Sequence, residues 1–207
     1  MIIVAAKLAS TALIARVFLL TKPALMPLLA AHVQQAEKND DVKPLVLGGL
    51  GLSWVGDVAL MAEGEAAFGA GLSGFLSAHG CYLGALAKRR RGGIKKRPAV
   101  AALYGGAWVG LNALLFPRTG KLRIPVLVYG TALVAMALAA LDTDDPKVAA
   151  GGAAFLVSDS ILALRTFEAA RVPSADALVM LTYTAAQGLL AEGMVSGAQE
   201  GRSRRRR

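Results

Sequence analysis

The chain holds a single cysteine, Cys81, among 207 residues. That excludes an intrachain disulfide and any cysteine-built metal cluster. Its two histidines, His32 and His79, do not form a His-x-x-x-His or His-Glu-x-x-His zinc motif. No Gly-x-Ser-x-Gly elbow, phosphate-binding loop or dinucleotide fingerprint occurs either, so neither a metal nor a cofactor is expected. Charge is scarce as well: 18% of residues are charged and 55% hydrophobic, and the mean hydropathy is +0.51. A disordered chain is excluded. So is an ordinary soluble domain, which at this size needs a polar skin that the composition does not supply. The apolar runs are continuous rather than alternating over segments of about ten residues, which argues against a membrane β-barrel. The composition points to an all-α, polytopic transmembrane helical bundle.

Charge, proline and glycine divide the chain into eight apolar segments, approximately 2–20, 23–34, 45–62, 67–87, 99–116, 124–141, 148–167 and 175–195. We read residues 1–197 as one integral membrane domain of about eight spans, followed by a basic cytoplasmic tail, 198–207. The second segment is short and is expected to be a tilted or re-entrant helix. The first carries Lys7 and Arg16 and is read as retained rather than as a cleaved signal. The net charge of +9 is concentrated in the stretch Lys88–Arg97 and in the terminal arginines. No aromatic platform interleaves with these residues, so nucleic-acid binding is not expected. They act instead as a positive-inside signal. With the N-terminus inside, the inner connections hold Lys38, Lys43, the 88–97 run, Lys147 and the tail, and the outer ones only Lys22, Arg118, Lys121, Arg123 and Arg171. Both termini are therefore expected in the cytoplasm, in a cell (plasma) membrane protein. Arg165 and Lys22, near span ends, are read as snorkelling, and His32 as interfacial.

Two acids lie deep in apolar spans, Asp57 and Asp159, each at a cost of about 2.5–3.5 kcal/mol on the insertion scale. Gly49, Ser53, Gly56 and Asp57 share one helix face. Comparable stripes carry Gly71, Phe75, His79 and Tyr82 in the fourth span and Met180, Tyr183 and Gln187 in the eighth. A weak repeat relates GLGLSWVGD, ending at Asp57, to GGAAFLVSD, ending at Asp159. It implies two pseudo-repeated four-helix halves in parallel orientation. A single buried Asp, or Tyr183 with Gln187, is accounted for by interhelical hydrogen bonding. Two acids in matched contexts with His79 nearby point to acid–base chemistry or ion coupling. Trp54, Trp108, Tyr104 and Tyr129 are simplest as packing or interface residues.

Several strings are familiar. Thr21-Lys22-Pro23, Gly56-Asp57-Val58-Ala59-Leu60-Met61, Phe68 to Gly71-Leu72, Phe75 to His79 and Tyr82, Pro125-Val126 with Tyr129, Ser158-Asp159-Ser160, and Tyr183 with Gln187 resemble the YhhN family of eight-span membrane proteins, which includes the lysoplasmalogenases. The resemblance covers about 20–195. It implies a hydrolase that cleaves the vinyl-ether bond of a lysoplasmalogen, or of a related lysolipid, to a fatty aldehyde and a glycerophospho-alcohol. The partners would then be a lysophospholipid substrate and membrane lipid. Asp57 and Asp159 match the family's paired acids and, with His79, make up the expected catalytic set. Lys22, Tyr82, Tyr129, Ser158, Tyr183 and Gln187 make up the expected substrate-binding set. The chemistry suits the residues: a neutral carboxyl protonates the vinyl β-carbon, and a carboxylate stabilises the cation or activates water. The rival expectation is a proton-coupled transporter of a small molecule or lipid that uses the same two acids; the spans lack clear glycine or proline breaks near both.

Overall fold

A computed structural model of the chain describes residues 23–36 and 41–205, with side chains as far as Ser196. The first apolar segment and Lys22 lie outside the described residues. The rest is helical, with no strand among the described residues: α1 (23–35), α2 (Lys43–Ala59), α3 (Glu65–Ala87), a single turn α4 (Gly93–Lys96), α5 (Pro98–Leu115), α6 (Arg123–Asp142), α7 (Pro146–Thr166) and α8 (Ala175–Arg205). Proline stands in the first turn of α2, α5 and α7, where its missing N–H is no loss and its fixed φ suits the helix. Asp145 caps α7, its side chain accepting hydrogen bonds from the N–H groups of Lys147 (2.9 Å) and Val148 (3.2 Å). Lys43 closes the end of α1 by donating to the carbonyls of Gln34 (2.7 Å) and Ala36 (2.9 Å).

Four stretches are long and apolar enough to cross a membrane: Pro98–Leu115, Gly120–Asp142, Pro146–Thr166 and Ala175–Ser196. Helix α2 has only 17 residues. In α3 the apolar character is diluted by Gly69, Gly71, Gly74, Gly80 and Gly84 and by its serines and His79. Large apolar side chains point outward from most of these helices, including Leu103, Val109, Ile124, Val128, Val157 and Leu181. Such a surface is untenable in water and natural in lipid.

The helices close into a ring. α2 packs along α3, α3 along α6, α6 along α7 and α7 along α8, and α8 returns to α2 through a sparser contact. Glycine sets the tightest seams. A Cβ on Gly74 would lie 2.9 Å from the Gly56 nitrogen, and one on Gly151 would lie 2.9 Å from the Leu190 nitrogen. α5 stands outside the ring against α6 and α7 and buries only Tyr104 and Leu115. The ring's interior holds buried polar side chains, among them Ser53, Asp57, His79, Ser158 and Gln187.

The connections sort to two ends. At one end Lys88 pairs with Asp41 (2.9 Å), Arg90 with Asp142 (2.8 Å), Lys96 and Arg97 with Asp144, and Lys147 with Glu192 (2.7 Å). The Lys96 and Arg97 charges hold the Asp144 carboxyl below its ordinary range. The 88–97 run is therefore not a free cationic strip. Its α4 turn is strapped to the end of α6, where the Arg91 N–H also donates to the Asp142 carbonyl (2.8 Å). At the other end, the α2–α3, α5–α6 and α7–α8 connections surround a wide cavity.

Candidate active site

Helical spacing places the polar groups in layers inside the ring. On α2, Ser53 and Asp57 are one turn apart and both essentially inaccessible. The Tyr183 hydroxyl of α8 donates to Asp57 Oδ2 at 2.7 Å. One turn further along α8, Gln187 donates through Nε2 to Ser53 Oγ (3.0 Å) and to the Tyr183 oxygen (3.2 Å), and accepts at Oε1 from the Tyr82 hydroxyl of α3 (2.6 Å). The chain of donors has a direction. Because Tyr183 receives the Gln187 N–H, its own proton is committed to Asp57.

The second acid mirrors the first. Asp159 of α7 accepts a hydrogen bond from the Tyr129 hydroxyl of α6. Its neighbour Ser158 donates to the Val179 carbonyl (3.2 Å) and pins α7 to α8. His79 lies between the acids' supports, edge-on to Tyr129 (5.3 Å between ring centroids) and to Phe155 (4.9 Å). Its Nδ1 is 2.7 Å from the Phe75 carbonyl. A carbonyl only accepts, so Nδ1 carries the proton. The other ring nitrogen, Nε2, is buried without a hydrogen-bond partner among the described residues.

Asp57 and Asp159 face one cavity of about 80 Å³, whose wall also includes Tyr129, Ser158, Thr166 and Tyr183 and is otherwise apolar (among others Leu60, Leu72, Phe75, Val126, Leu162 and Met180). Phe68 and Phe167, edge-to-face at 5.8 Å, line both this slot and an adjoining vestibule of about 820 Å³. Glu65, Arg118, Lys121 and Arg165 stand around the vestibule, and Arg165 pairs with Asp176. Of the expected catalytic and substrate-binding residues, five therefore line the slot: Asp57, Asp159, Tyr129, Ser158 and Tyr183. His79, Tyr82 and Gln187 stand one layer behind it.

Sequence reasoning did not assign the vestibule cations to the site; Arg165 was read as snorkelling. Their signal was a small basic cluster at the sparsely charged end of the spans. Tyr129, a packing or interface residue by its position and a substrate-binding one by the family resemblance, is the hydrogen-bond donor to Asp159. Glu192 and Asn112 had no evident role. Glu192 pairs with Lys147, and Asn112 donates to the Trp108 carbonyl (2.8 Å).

An apolar helical ring with two carboxyls turned inward toward a slot defines a helical membrane protein with a buried polar centre. Within that class the chain belongs to the YhhN family, whose model matches residues 17–194. A protein of Mycobacterium bovis named Lysoplasmalogenase is 37% identical over 143 residues, covering 64% of this chain and 53% of the relative. A Mycobacterium tuberculosis protein of the same name matches with the same figures. The chain thus spans about half the length of the curated relatives it matches. No solved structure matches it.

Proposed function

We propose that this protein is a membrane-embedded hydrolase of the lysoplasmalogenase type, cleaving the vinyl-ether bond of a lysoplasmalogen or a related lysolipid. Two carboxyl groups from different helices face one small apolar slot, each held by a tyrosine hydroxyl, and that pairing supports the reading. The 37% identity to proteins named Lysoplasmalogenase supports it further.

In the proposed reaction one carboxyl, in its acid form, gives a proton to the β-carbon of the vinyl ether. The positive charge then resides on the α-carbon and the ether oxygen. The other, as carboxylate, faces this cation and takes a proton from the water that adds to the α-carbon. The resulting hemiacetal collapses: its hydroxyl proton passes to the carboxylate left by the first step, the carbon–oxygen bond to glycerol breaks, the glycerol oxygen takes the proton held by the second carboxyl and the aldehyde leaves. The slot holds a few waters at most, so the reacting bond is enclosed while one water remains available. Tyr183 and Tyr129 hold the acids in place, and His79 orients Tyr129 from behind. The phosphate of the headgroup sits in the vestibule, where Arg118, Lys121 and Arg165 supply opposite charge.

The chain is further proposed to cross the membrane eight times, as two related halves, with both termini in the cytoplasm. The shared end of Asp41, the 88–97 run and the 142–146 connection supports the alternation. A reporter active only outside the membrane should be silent when inserted at Gly92; activity there would reverse the orientation. For the activity, the detergent-purified protein is mixed with lysoplasmalogen and the aldehyde measured. Aldehyde release by the native chain, lost in Asp57→Asn and Asp159→Asn, is expected. Proton-driven flux in proteoliposomes without aldehyde would favour a transporter instead.

A further inference from the structure

A second cavity, about 50 Å³, lies outside the ring between α5, α6 and α7. Its wall is mostly hydrocarbon: Leu111, Leu133, Val134 and Leu156 line it. Trp108 and Asn112 border it too, and the Trp108 indole N–H is buried without a partner among the described residues. Tyr129, Asp159, Val126 and Ala163 line both this cavity and the acid slot. Those four residues are thus a partition one side chain thick, with Asp159 in it. The outer rim reaches Ala107, which is exposed on the apolar outer face of α5.

We infer that this outer cavity is the subsite for the hydrocarbon chain of the lysolipid, entered past Tyr129, with the vinyl-ether bond straddling the partition at Asp159. The inference rests on the hydrolase reading above and adds the place of the chain. A vinyl ether joins a charged glycerophosphate on one side to a hydrocarbon on the other. With the charged part in the cationic vestibule and the reacting bond at the acids, the hydrocarbon continues past the acids, and the outer cavity adjoins Asp159 there. The α5–α6–α7 cavity is apolar, touches Asp159 from the outer side of the partition and reaches the exposed Ala107 on the lipid-facing surface. A cavity of this size holds only the first carbons of a long chain, and the remainder lies along α5 in the bilayer. Selection of the bond is then geometric, since polar and apolar parts of the lipid meet where the carboxyl stands.

Gly130 supplies the test, because it faces this cavity in open surroundings. A Cβ there would meet nothing nearer than Trp108 at 3.9 Å and Asn112 at 4.0 Å, so a larger residue fills space rather than colliding with backbone. The full chain carrying Gly130→Leu, purified in detergent, would be given lysoplasmalogens with a four-carbon and a sixteen-carbon alkenyl chain. The ratio of kcat/KM for the long over the short chain should fall at least about tenfold, the scale on which pocket shape discriminates hydrocarbons. Ala107→Trp narrows the rim from an exposed position, should lower the same ratio, and decides the matter if Gly130→Leu does not fold. An unchanged ratio in the folded variants would overturn the subsite while leaving the hydrolase reading intact. No aldehyde from either lipid with the native chain would overturn both.

Discussion

Replacing Asp57 by asparagine removes its ability to carry and release a proton while keeping its shape. The side chain is 1% exposed, so no solvent carboxylate or buffer can substitute for it. The Tyr183 hydroxyl, now 2.7 Å from Oδ2, keeps an acceptor in the substituted amide oxygen. What is lost in the fold is the charge assistance of that bond, about 1 kcal/mol. A neutral amide is also cheaper than a carboxylate inside the membrane, which offsets the loss, so the variant should insert and stay folded. What is lost in the reaction is larger. Positioned proton transfer contributes about 10²–10⁴-fold, so aldehyde release should fall at least about a hundredfold, equivalent to about 2.7 kcal/mol of barrier. Asp159→Asn should behave alike. The double variant should be little worse than the poorer single one, because groups that act as a unit are non-additive. Size-exclusion chromatography in detergent checks the fold, and a dehydrogenase-coupled assay follows the aldehyde. Near-native turnover in a monodisperse Asp57→Asn protein would remove Asp57 from the chemistry. Collapse of both single variants would make the acids structural hydrogen-bonding groups.

Tyr183→Phe deletes the donor to Asp57 but leaves Gln187 bonded to Ser53 and Tyr82. A hydrogen bond to a charged group contributes about 1.5–3 kcal/mol, so kcat should fall roughly ten- to a hundredfold with KM little changed; an unchanged kcat would reject the positioning role. The 88–97 strap should respond to acid. The Asp144 carboxyl is held below its ordinary value by Lys96 and Arg97, so its ion pairs act above the unfolded pKa near 4 and are lost as pH falls through the lower folded value. Amide hydrogen exchange in 88–97, corrected for intrinsic rate, should rise below about pH 4, and Asp144→Asn should show the raised exchange already at pH 7. Exchange insensitive to both changes would mean that the Asp144 ion pairs do not hold the strap.

The helix boundaries were largely legible because proline and glycine mark them. Segment 99–116 corresponds to Pro98–Leu115, 124–141 to Arg123–Asp142 and 148–167 to Pro146–Thr166. α8 runs to Arg205, past the apolar segment's end at 195, because helix formation beyond the membrane needs no apolar side chains. Periodicity also placed Ser53 with Asp57, and Tyr183 with Gln187, each pair on one face. Periodicity cannot say which faces meet. Tyr183 reaches Asp57 across 126 positions and Tyr129 reaches Asp159 across 30, and such partners are fixed only by the order in which helices pack. The ion pairs of the basic run are hidden for the same reason: its acidic partners, Asp142 and Asp144, lie some 50 residues downstream.

The ring's sparsest seam, where α8 meets α2, has a consequence for biosynthesis. Helices leave the ribosome in order, so in the proposed eight-span topology Asp57 enters the bilayer well before Tyr183 and Gln187 exist. Until α8 arrives, the acid sits in an open groove facing lipid, at a cost of about 2.5–3.5 kcal/mol. The bonds Tyr183–Asp57, Gln187–Ser53 and Tyr82–Gln187 remove that cost and close the groove in one event. Docking of α8 is therefore driven by the same groups that arm the centre, so a nascent chain lacking α8 has an unsealed membrane face and no enclosed slot. A chain arrested before residue 175 should be recognisable to membrane quality control by its open groove.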